Sequence, residues 1–250
     1  MATWGEACGP VHIDPVIIGM ASIPERSKGM IRVIQQFLPY CTHFDVYLNR
    51  YSESFHHPIF DDPRVNAFRG ADIGPHGKFY MAHRTRGYFL TVDDDLIYPD
   101  DYVFNTVASI EKYKRQAVVG YHGTTFTTNP DPLQPQTRML FSHAAYLEHD
   151  LPVHMLGTGL FAYHTDTVYI DWRDMVPGKI DEQVAILLQN GRIPQLCLAH
   201  PEDWVTEDEE LRFRCALRRN KEASAAAVQR QQRRWDLYLP DSWKEYQRFP

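Results

Sequence analysis

Three consecutive aspartates, Asp93–Asp95, stand directly after an apolar segment in the stretch YFLTVDDDLIYPDDY, residues 88–102. Residues 87–111 hold six carboxylates and neither Lys nor Arg, so neighbours in the sequence cannot neutralise this charge. Two like charges about 4 Å apart repel each other by about 4 kcal/mol at the effective dielectric of a protein surface. The three aspartates therefore need water, a distant cation or a bound metal ion.

Two chemical interpretations of these aspartates are open. Alternation along an extended chain would place Asp93 and Asp95 on one side and Asp94 on the other. Carboxylate oxygens suit Mg²⁺ or Mn²⁺, and two of them leave coordination positions for water and for phosphate oxygens. The end of a strand in an open parallel sheet is also where such folds bind ligands. Asp equally favours turns, so a solvated strand-to-helix turn explains the same residues.

The segments around the aspartates alternate between strand and helix patterns. The run PVIIGMASIP, residues 15–24, predicts a buried strand, and the next residues repeat apolar side chains at helical spacing, with Ser27 as the expected cap. The run FDVYLNR, 44–50, predicts a second strand, which makes a βαβ unit with parallel strands. Residues 64–68 and 88–92 predict two further strands. This alternation predicts an α/β fold.

The second half of the chain continues the same pattern around a long connection. A proline-rich stretch at 124–153 has weak periodicity and is typical of a functional loop or lid. The segment DEQVAILLQNG, residues 181–191, predicts a helix capped by Asp181. The remaining expected elements are strands within 116–123, 154–164 and 193–200 and a helix within 99–113.

Composition limits the class of protein. The chain has 250 residues, 44% of them hydrophobic, which is enough for one large α/β domain. A formal net charge of −6 and a pI near 6.0 argue against a nucleic-acid binder. The four cysteines form no C-x-x-C pair and resemble free thiols of a reducing compartment. With neither a signal-peptide pattern nor about 18 consecutive apolar residues, we expect a cytoplasmic protein.

The last segment, residues 205–250, predicts a helical, basic tail after a catalytic domain at 1–204. Thr206 and Glu209 match a capping box, and two helices follow it. Residues 212–234 carry eight Lys and Arg against one acid. A basic amphipathic helix could lie on an anionic membrane, but a solvated helix packed on the domain explains the pattern as well.

Four segments together resemble a known family: VIIGMASIPER, FDVYLN, DIGPHGKFYMA and YFLTVDDDLIYPDDYV. They are similar to the nucleotide-binding half of GT-A-type glycosyltransferases, family 2-like, of bacterial polysaccharide and capsule synthesis. The resemblance covers roughly residues 14–200. It implies a Rossmann-type, mostly parallel sheet flanked by helices, with a nucleotide-binding half at 14–115 and an acceptor half at 116–204.

The resemblance also implies a divalent metal and a bound nucleotide. Asp93, Asp95 and His200 fall where the family holds Mn²⁺ or Mg²⁺, with Asp93 also near the ribose and Asp95 near the diphosphate. His200 is equally well explained as an ordinary histidine at a strand end, because it lacks a partner at metal-pair spacing. The residues that fall at the family's nucleotide contacts are Ala21, Ser22, Arg26, Asp72, Lys78, Asp93 and Asp94.

On the acceptor side, the resemblance points to a glycine turn and an acidic pair. Gly157, Thr158 and Gly159 would allow a sugar to approach closely. Asp181 and Glu182 match the pair that supplies the catalytic base in inverting members. From the residues alone, Asp181 is equally a helix cap, and Glu182 equally complements a helix dipole.

The implied reaction moves a sugar, with UDP as the expected carrier, to a hydroxyl of a glycan or lipid-linked acceptor in cell-surface or capsular polysaccharide synthesis. A metal would neutralise the departing diphosphate, and one in-line attack aided by a base would invert the anomeric carbon. One alternative is a sugar nucleotidyltransferase, although IIGMASIPERSKG lacks the glycine pattern expected there. Another is a non-catalytic carbohydrate-binding or metal-binding module, which would bind ligand without turnover. Basic tail helices would place the enzyme peripherally at the inner face of the plasma membrane.

Overall fold

The computed structural model describes residues 14–126, 138–175, 178–214, 235 and 237–239. Within these ranges the strands are β1 (Val16–Ser22), β2 (His43–Leu48), β3 (Val65–Arg69), β4 (Tyr88–Val92), β5 (Leu96–Ile97), β6 (Val118–Gly120), β7 (Gly123–Phe126), β8 (Arg138–Phe141), β9 (Leu151–Pro152), β10 (Met155–Leu156), β11 (Leu160–His164), β12 (Gln195–Cys197) and β13 (Thr206–Glu207). The α-helices are α1 (Ser27–Phe37), α2 (Tyr102–Lys112), α3 (Ile180–Asn190) and α4 (Glu209–Arg214). Several single 3₁₀ turns connect them, including Pro24–Arg26 and Gly74–Phe79.

One eight-stranded sheet organises the molecule, in the order β3-β2-β1-β4-β11-β6-β12-β9. Six of its strands run in the same direction, whereas β11 is antiparallel to β4 and β6, and β9 is antiparallel to β12. The carboxyl ends of β1, β4, β6 and β12 therefore share one edge with the beginning of β11. Loops from distant parts of the sequence meet at this edge.

Helices cover both faces of the sheet, which makes three layers. Buried side chains of α1 and α2, such as Phe37 and Ile110, pack on one face, and side chains of α3 and the 3₁₀ turn Gly74–Phe79, such as Leu188 and Phe79, pack on the other. The apolar positions at helical spacing in these segments become the buried stripe of each helix. The predicted α/β class, a mostly parallel sheet flanked by helices, is confirmed. No helix in the described part of the chain is long and apolar enough to cross a membrane.

Three predicted helix caps are wrong. Ser27 is the first residue of α1, because the 3₁₀ turn Pro24–Arg26 already leads the chain into the helix. Arg26 holds the cap position, and its side chain does not cap the helix. Asp181 lies inside the first turn of α3, whose cap position is held by Lys179 at φ 56°. Before α4, Asp208 accepts the amide hydrogens of Glu210 and Leu211, so Thr206 is not the cap.

The expected long connection at 124–153 is partly regular. It contains most of β7, all of β8 and β9, and a turn, while residues 127–137 lie outside the described residues. Strand β7 pairs with β10 and β8 in a small antiparallel sheet. The expected tail helices fall mostly outside the described residues, and the domain boundary at 204 stays a prediction. The small sheet adjoins the large one, because β7 begins three residues after β6 ends and β11 begins four residues after β10 ends.

Candidate active site at the carboxyl edge of the sheet

The three aspartates follow β4 at the shared edge and differ in exposure. The side chains of Asp93 and Asp95 are 33% and 26% exposed, whereas that of Asp94 is 3% exposed. This is the division that alternation predicts for the residues after a strand. The side chains of Asp93 and Asp95 are accessible to a ligand, whereas the side chain of Asp94 is buried inside the protein.

Two cations from distant segments neutralise these acids. Arg26, from the turn after β1, places Nη1 2.9 Å from Asp95 Oδ2 and 3.2 Å from Asp94 Oδ1. Lys78, from the 3₁₀ turn that packs on β1, pairs through Nζ with Asp93 Oδ1. Of the three possible ways to neutralise these acids, the structure shows distant cations. Arg26 and Lys78 lie beside the aspartates and offset their mutual repulsion.

Both cations stay charged in the folded protein. Burial alone would lower the pKa of Lys78, but the charge and hydrogen bond of Asp93, together with the charges of Asp181 and Asp95, hold the pKa above its usual value. For Arg26, burial acts in the same direction, and the charges of Asp95 and Asp94 again raise the pKa. The site therefore presents two fixed positive charges next to two partly exposed carboxylates.

Asp94 is an interior anchor for the loop after β1. Ser22 Oγ donates to Asp94 Oδ2 at 2.6 Å, and Tyr51 OH lies 3.0 Å from the same serine oxygen. Burial raises the pKa of Asp94 to about 6, although Ser22 and Arg26 oppose this rise. Burial, together with the charge of Asp93, also raises the pKa of Asp95. The Asp94 carboxylate thus holds Ser22 and Arg26 in place and is not exposed to solvent.

The turn Gly157–Gly159, between β10 and β11, packs directly on the aspartates. A Cβ atom on Gly159 would overlap Asp93 Oδ2, so only glycine allows this approach. The hydroxyl of Tyr98 joins the two segments: it accepts from Asp93 N at 2.7 Å and can donate to Gly159 O at 3.2 Å. Thr91 Oγ1 donates to Thr158 O at 2.6 Å and fixes the turn from beneath.

Asp181 reaches the same turn from the first turn of α3. Both the amide and the hydroxyl of Thr158 donate to Asp181 Oδ1, at 2.8 and 2.6 Å. The charge of Asp181 also contributes to the raised pKa of Lys78. Glu182 is buried, with 5% exposure, so Asp181 is the member of the acidic pair that lies at this turn.

The remaining predicted nucleotide contacts lie along the end of β1 and the following loops. Ala21 and Ser22 are the last residues of β1. Asp72 is 48% exposed and its Oδ2 lies 3.4 Å from Arg50 Nε. Asn49 donates to Gly74 O and accepts from Ile73 N, so it ties the loop that carries Asp72 to the end of β2. Arg50 also pairs with Glu25, the neighbour of Arg26 in the turn after β1.

Asp93 and Asp95 have the chemistry of a two-carboxylate metal site. Each has one oxygen paired with a cation, and each is partly exposed, which suits a hard divalent ion that takes further ligands from water and phosphate. His200 is not brought to them: its Nδ1 lies 2.7 Å from Leu198 O and its Nε2 3.2 Å from Ser142 O. Within the described ranges, no three His, Cys, Asp or Glu side chains gather as a metal site, so the predicted set with His200 is not assembled.

A later segment holds the acidic turn from outside. Strand β13 pairs with β5, just after the aspartates, and Asp208 N donates to Asp95 O at 2.7 Å. Arg32 of α1 pairs with the Asp208 carboxylate and donates to Leu96 O at 3.0 Å. The backbone of the acidic turn is therefore fixed on both sides.

Sequence reasoning missed several residues of this site. Thr91 is the one polar residue in the otherwise apolar, buried strand YFLTV, a signal that could have identified it. Tyr98 follows the aspartates closely but stands in a segment with no helical or strand pattern. His122 and His143, whose ring nitrogens lie 3.2 Å apart near the Gly157–Gly159 turn, gave no sequence signal because 21 residues separate them.

Comparisons with known proteins give only distant likenesses. No family model matches the chain, and neither does any curated protein. Among solved structures, the chain is similar to mannosyltransferase PcManGT from Pyrobaculum calidifontis in complex with GDP-Man and Mn²⁺, with 11% identity and a TM-score of 0.44. This likeness covers 81% of the present chain, which spans 59% of the length of that transferase.

Two further structures are similar at the same level. Inositol-1-phosphate CTP transferase from T. maritima has 7% identity and a TM-score of 0.42, over 74% of this chain and 84% of that one. HddC from Yersinia pseudotuberculosis has 10% identity and a TM-score of 0.35, over 61% of this chain and 77% of that one. Likenesses this distant say nothing about what the present chain binds or catalyses.

Proposed function

We propose that this chain is a metal-dependent, inverting glycosyltransferase that moves a sugar from a nucleoside-diphosphate sugar to a hydroxyl of a glycan acceptor. UDP is the proposed carrier, on the strength of the sequence resemblance. The observation that supports the proposal most strongly is the pairing at the sheet edge. Two partly exposed carboxylates, Asp93 and Asp95, lie beside two charged cations, Lys78 and Arg26.

A metal-bound diphosphate needs this combination of charges. Carboxylates bind the ion, and cations bind the phosphate oxygens that the ion leaves free. Asp93 and Asp95 would hold Mg²⁺ or Mn²⁺, which supplies Lewis-acid stabilisation to the departing diphosphate when bound. Arg26 and Lys78 would neutralise phosphate oxygens. Ala21, Ser22 and Asp72 would contact the base and ribose.

The acceptor side supports a role for Asp181 as base. Thr158 holds Asp181 Oδ1 with two hydrogen bonds, which orients the carboxylate and leaves Oδ2 for an acceptor hydroxyl. A base must lie within hydrogen-bond reach of the proton that it removes. With the donor held at Asp93 and the acceptor at Asp181, on either side of the Gly157–Gly159 turn, one in-line attack would invert the anomeric carbon.

The biological setting belongs to the same proposal. The product would be a cell-surface or capsular glycan, and the acceptor a glycan or a lipid-linked glycan. The basic segment at 212–234 would then bring the enzyme to an anionic membrane surface.

Nucleotide binding tests the donor half of the proposal. Thermal unfolding with UDP, GDP and their sugars should show stabilisation only when Mn²⁺ or Mg²⁺ is present, by about 2.7 kcal/mol at a ligand concentration 100 times Kd. Asp95→Asn should abolish this stabilisation, because it removes one metal ligand and the partner of Arg26. Asp61→Asn, on an exposed side chain, is the matched control. Stabilisation that persists in excess chelator would contradict the metal assignment.

Sugar transfer tests the acceptor half. Asp181→Asn should keep the nucleotide-dependent stabilisation and lower the transfer rate by about 100-fold or more, the usual contribution of a general base. The reaction product identifies the class of enzyme. Release of nucleoside diphosphate supports glycosyl transfer, whereas release of pyrophosphate would identify a nucleotidyltransferase. Ligand binding with no turnover in the wild-type protein would identify a binding module.

A further inference from the structure

Two histidines form a pair beside the Gly157–Gly159 turn. His122 lies between β6 and β7, and His143 lies just after β8. Their Nδ1 atoms are 3.2 Å apart, and the ring centroids are 5.4 Å apart. Both side chains are partly buried, and among the described residues His143 Nε2 is buried without a hydrogen-bond partner.

This geometry limits the pair to one extra proton. Two facing ring nitrogens form a hydrogen bond only if one carries a proton and the other offers a lone pair. In the neutral pair, the ring that donates from Nδ1 keeps a basic Nε2. If both rings were fully protonated, two N–H groups and two positive charges would face each other. The pair is therefore a group that can accept one proton and share its charge over two rings.

The Gly157–Gly159 turn connects this pair to Asp181. Gly157 N donates to His122 O at 2.8 Å, and a Cβ on Gly157 would lie 3.1 Å from His122 Cδ2, the ring atom bonded to Nε2. The next residue, Thr158, holds Asp181 Oδ1. Cδ2 of the His122 ring thus lies beside Gly157, and the Asp181 carboxylate bonds the next residue, Thr158.

Burial favours the neutral form of both rings. Burial is the main cause that lowers the pKa of His122, with His143 and Arg138 acting in the same direction and Asp181 and Glu207 opposing it. Burial also lowers the pKa of His143, reinforced by His200 and opposed by Glu207 and Asp93. A neutral imidazole can accept a proton, which an imidazolium cannot.

We propose that His122 and His143 form a proton acceptor that takes the acceptor's proton from Asp181 during glycosyl transfer. The inference rests on the proposed function. The acceptor O–H bond breaks as its oxygen bonds the anomeric carbon, while the bond from that carbon to the diphosphate breaks and the nucleoside diphosphate leaves. The proton passes to Asp181 Oδ2 and then to His122 Nε2. The histidine pair becomes a monocation and releases the proton to water between turnovers. His143 is a positioning residue, because it acts through His122 by fixing its Nδ1 side and its tautomer.

A titration that needs no activity tests the pair itself. NMR of ¹⁵N-histidine in the full chain should show one protonation event shared by the two rings. In His143→Gln, the titration of His122 should move to higher pH, because His143 lowers the pKa of His122 in the wild type. Two independent events in the wild type, unchanged in position by either substitution, would overturn the proposal.

Transfer kinetics test the role in the reaction. His122→Asn keeps a group near the Nδ1 position but lacks Nε2, and it should lower kcat about tenfold, less than the 100-fold or more of the base itself. In His143→Gln, the acid limb of the pH profile should move to higher pH, because His122 is then protonated and unable to accept at higher pH. His149→Gln, on an exposed side chain, is the control and should match the wild type.

The two proposals fail in different ways. If the wild-type protein transfers no sugar, the proposed function is wrong, whatever the NMR titration gives. If the wild type is active and His122→Asn keeps both its rate and its pH profile, the proton-acceptor role is wrong and the glycosyltransferase proposal stands. If both His122→Asn and His143→Gln lost activity but kept the acid limb of the wild-type pH profile, the histidines would only support the local structure. This result would also overturn the inference.

Discussion

At the scale of single residues, Asp94 is the acid whose burial is most costly. Its side chain is 3% exposed and its pKa is raised to about 6, chiefly by burial. A carboxyl with a raised folded-state pKa binds more protons in the folded protein than in the unfolded chain. This residue therefore makes folding more favourable as the pH falls from about 7 toward about 4.

The pH dependence of stability should reveal Asp94. Linkage between a folded pKa of about 6 and the usual aspartate value of 3.8 predicts a gain of about 1 kcal/mol from this residue between pH 7.5 and 5. Asp94→Asn should lose that gain while keeping an acceptor for Ser22. Urea unfolding of both proteins at the two pH values measures the difference. An identical pH response in the two proteins would contradict the buried, proton-binding state.

Gly159 should tolerate no side chain. An added Cβ would overlap Asp93 Oδ2, so Gly159→Ala must displace the acid or the turn. We expect at least a tenfold loss of nucleotide affinity in the presence of Mn²⁺, measured by calorimetry. Gly191→Ala is the matched control, since there the nearest atom is the flexible end of Ile193. Equal affinity in both variants would show that the contact with Asp93 does not matter for binding.

Single residues also show where sequence reasoning reaches its limit. The different exposure of Asp94 and its two neighbours agrees with the expected alternation, although Asp94 and Asp95 lie in a turn after β4. The pairing of Asp93 with Lys78 and of Asp95 with Arg26 depends on how strands are ordered in the sheet, and local spacing does not encode that order. The histidine pair depends on a long connection that folds back, so its two members carry no common pattern.

At the scale of elements, the outer support of the acidic turn is the segment from β13 to α4. Asp208 caps α4, pairs with Arg32 and donates its amide to Asp95 O. The tail is thus part of the site at its beginning, whatever its remainder does.

This arrangement predicts different effects for two neighbouring substitutions. Asp208→Ala removes a helix cap and an ion pair and should lower the free energy of unfolding by about 1–2 kcal/mol. Thr206→Ala, at the position that the sequence suggested as the cap, should change it by less than about 0.5 kcal/mol. Chemical denaturation of both variants measures the contrast. A larger loss for Thr206→Ala would restore the capping-box interpretation.

The elements themselves were largely predictable, but their ends were not. The strand predicted at 88–92 is found with the same bounds, because its five consecutive apolar or β-branched residues are buried on both faces. The segment 154–164 was predicted as one strand, yet the Gly157–Gly159 turn divides it. Asp181 was predicted as a cap because Asp is common there. Its carboxylate instead bonds Thr158, a tertiary contact that propensity does not report.

At the scale of the whole molecule, the sheet brings every part of the site to one edge. Parallel strands β1 and β4 deliver Ser22 and the aspartates at their ends, whereas antiparallel β11 delivers Gly159 just before its beginning. A single reversed strand is thus enough to place a glycine turn opposite the acids. The α/β class predicted this edge as the place for a ligand, but not the reversal.

The basic tail gives a prediction for the whole chain. Because Trp235 packs against Phe126, truncation of the tail would disturb the domain, so charge substitution is the better test. Replacing the four arginines at 218, 219, 233 and 234 by Gln should weaken binding to vesicles with anionic lipid by about 1 kcal/mol per charge. Binding to neutral vesicles is the control. Equal binding of both proteins to anionic vesicles would contradict the membrane role.

The bond from Asp208 N to Asp95 O has a consequence for how the protein comes into being. On the ribosome, the acids emerge long before the residue that steadies their backbone, and Asp181 emerges between the two. A nascent chain arrested before Asp208 would already contain the strands of the large sheet. Its acidic turn would lack the hydrogen bond from Asp208 N to Asp95 O. Competence for ligand would thus arise only after Asp208 has been synthesised.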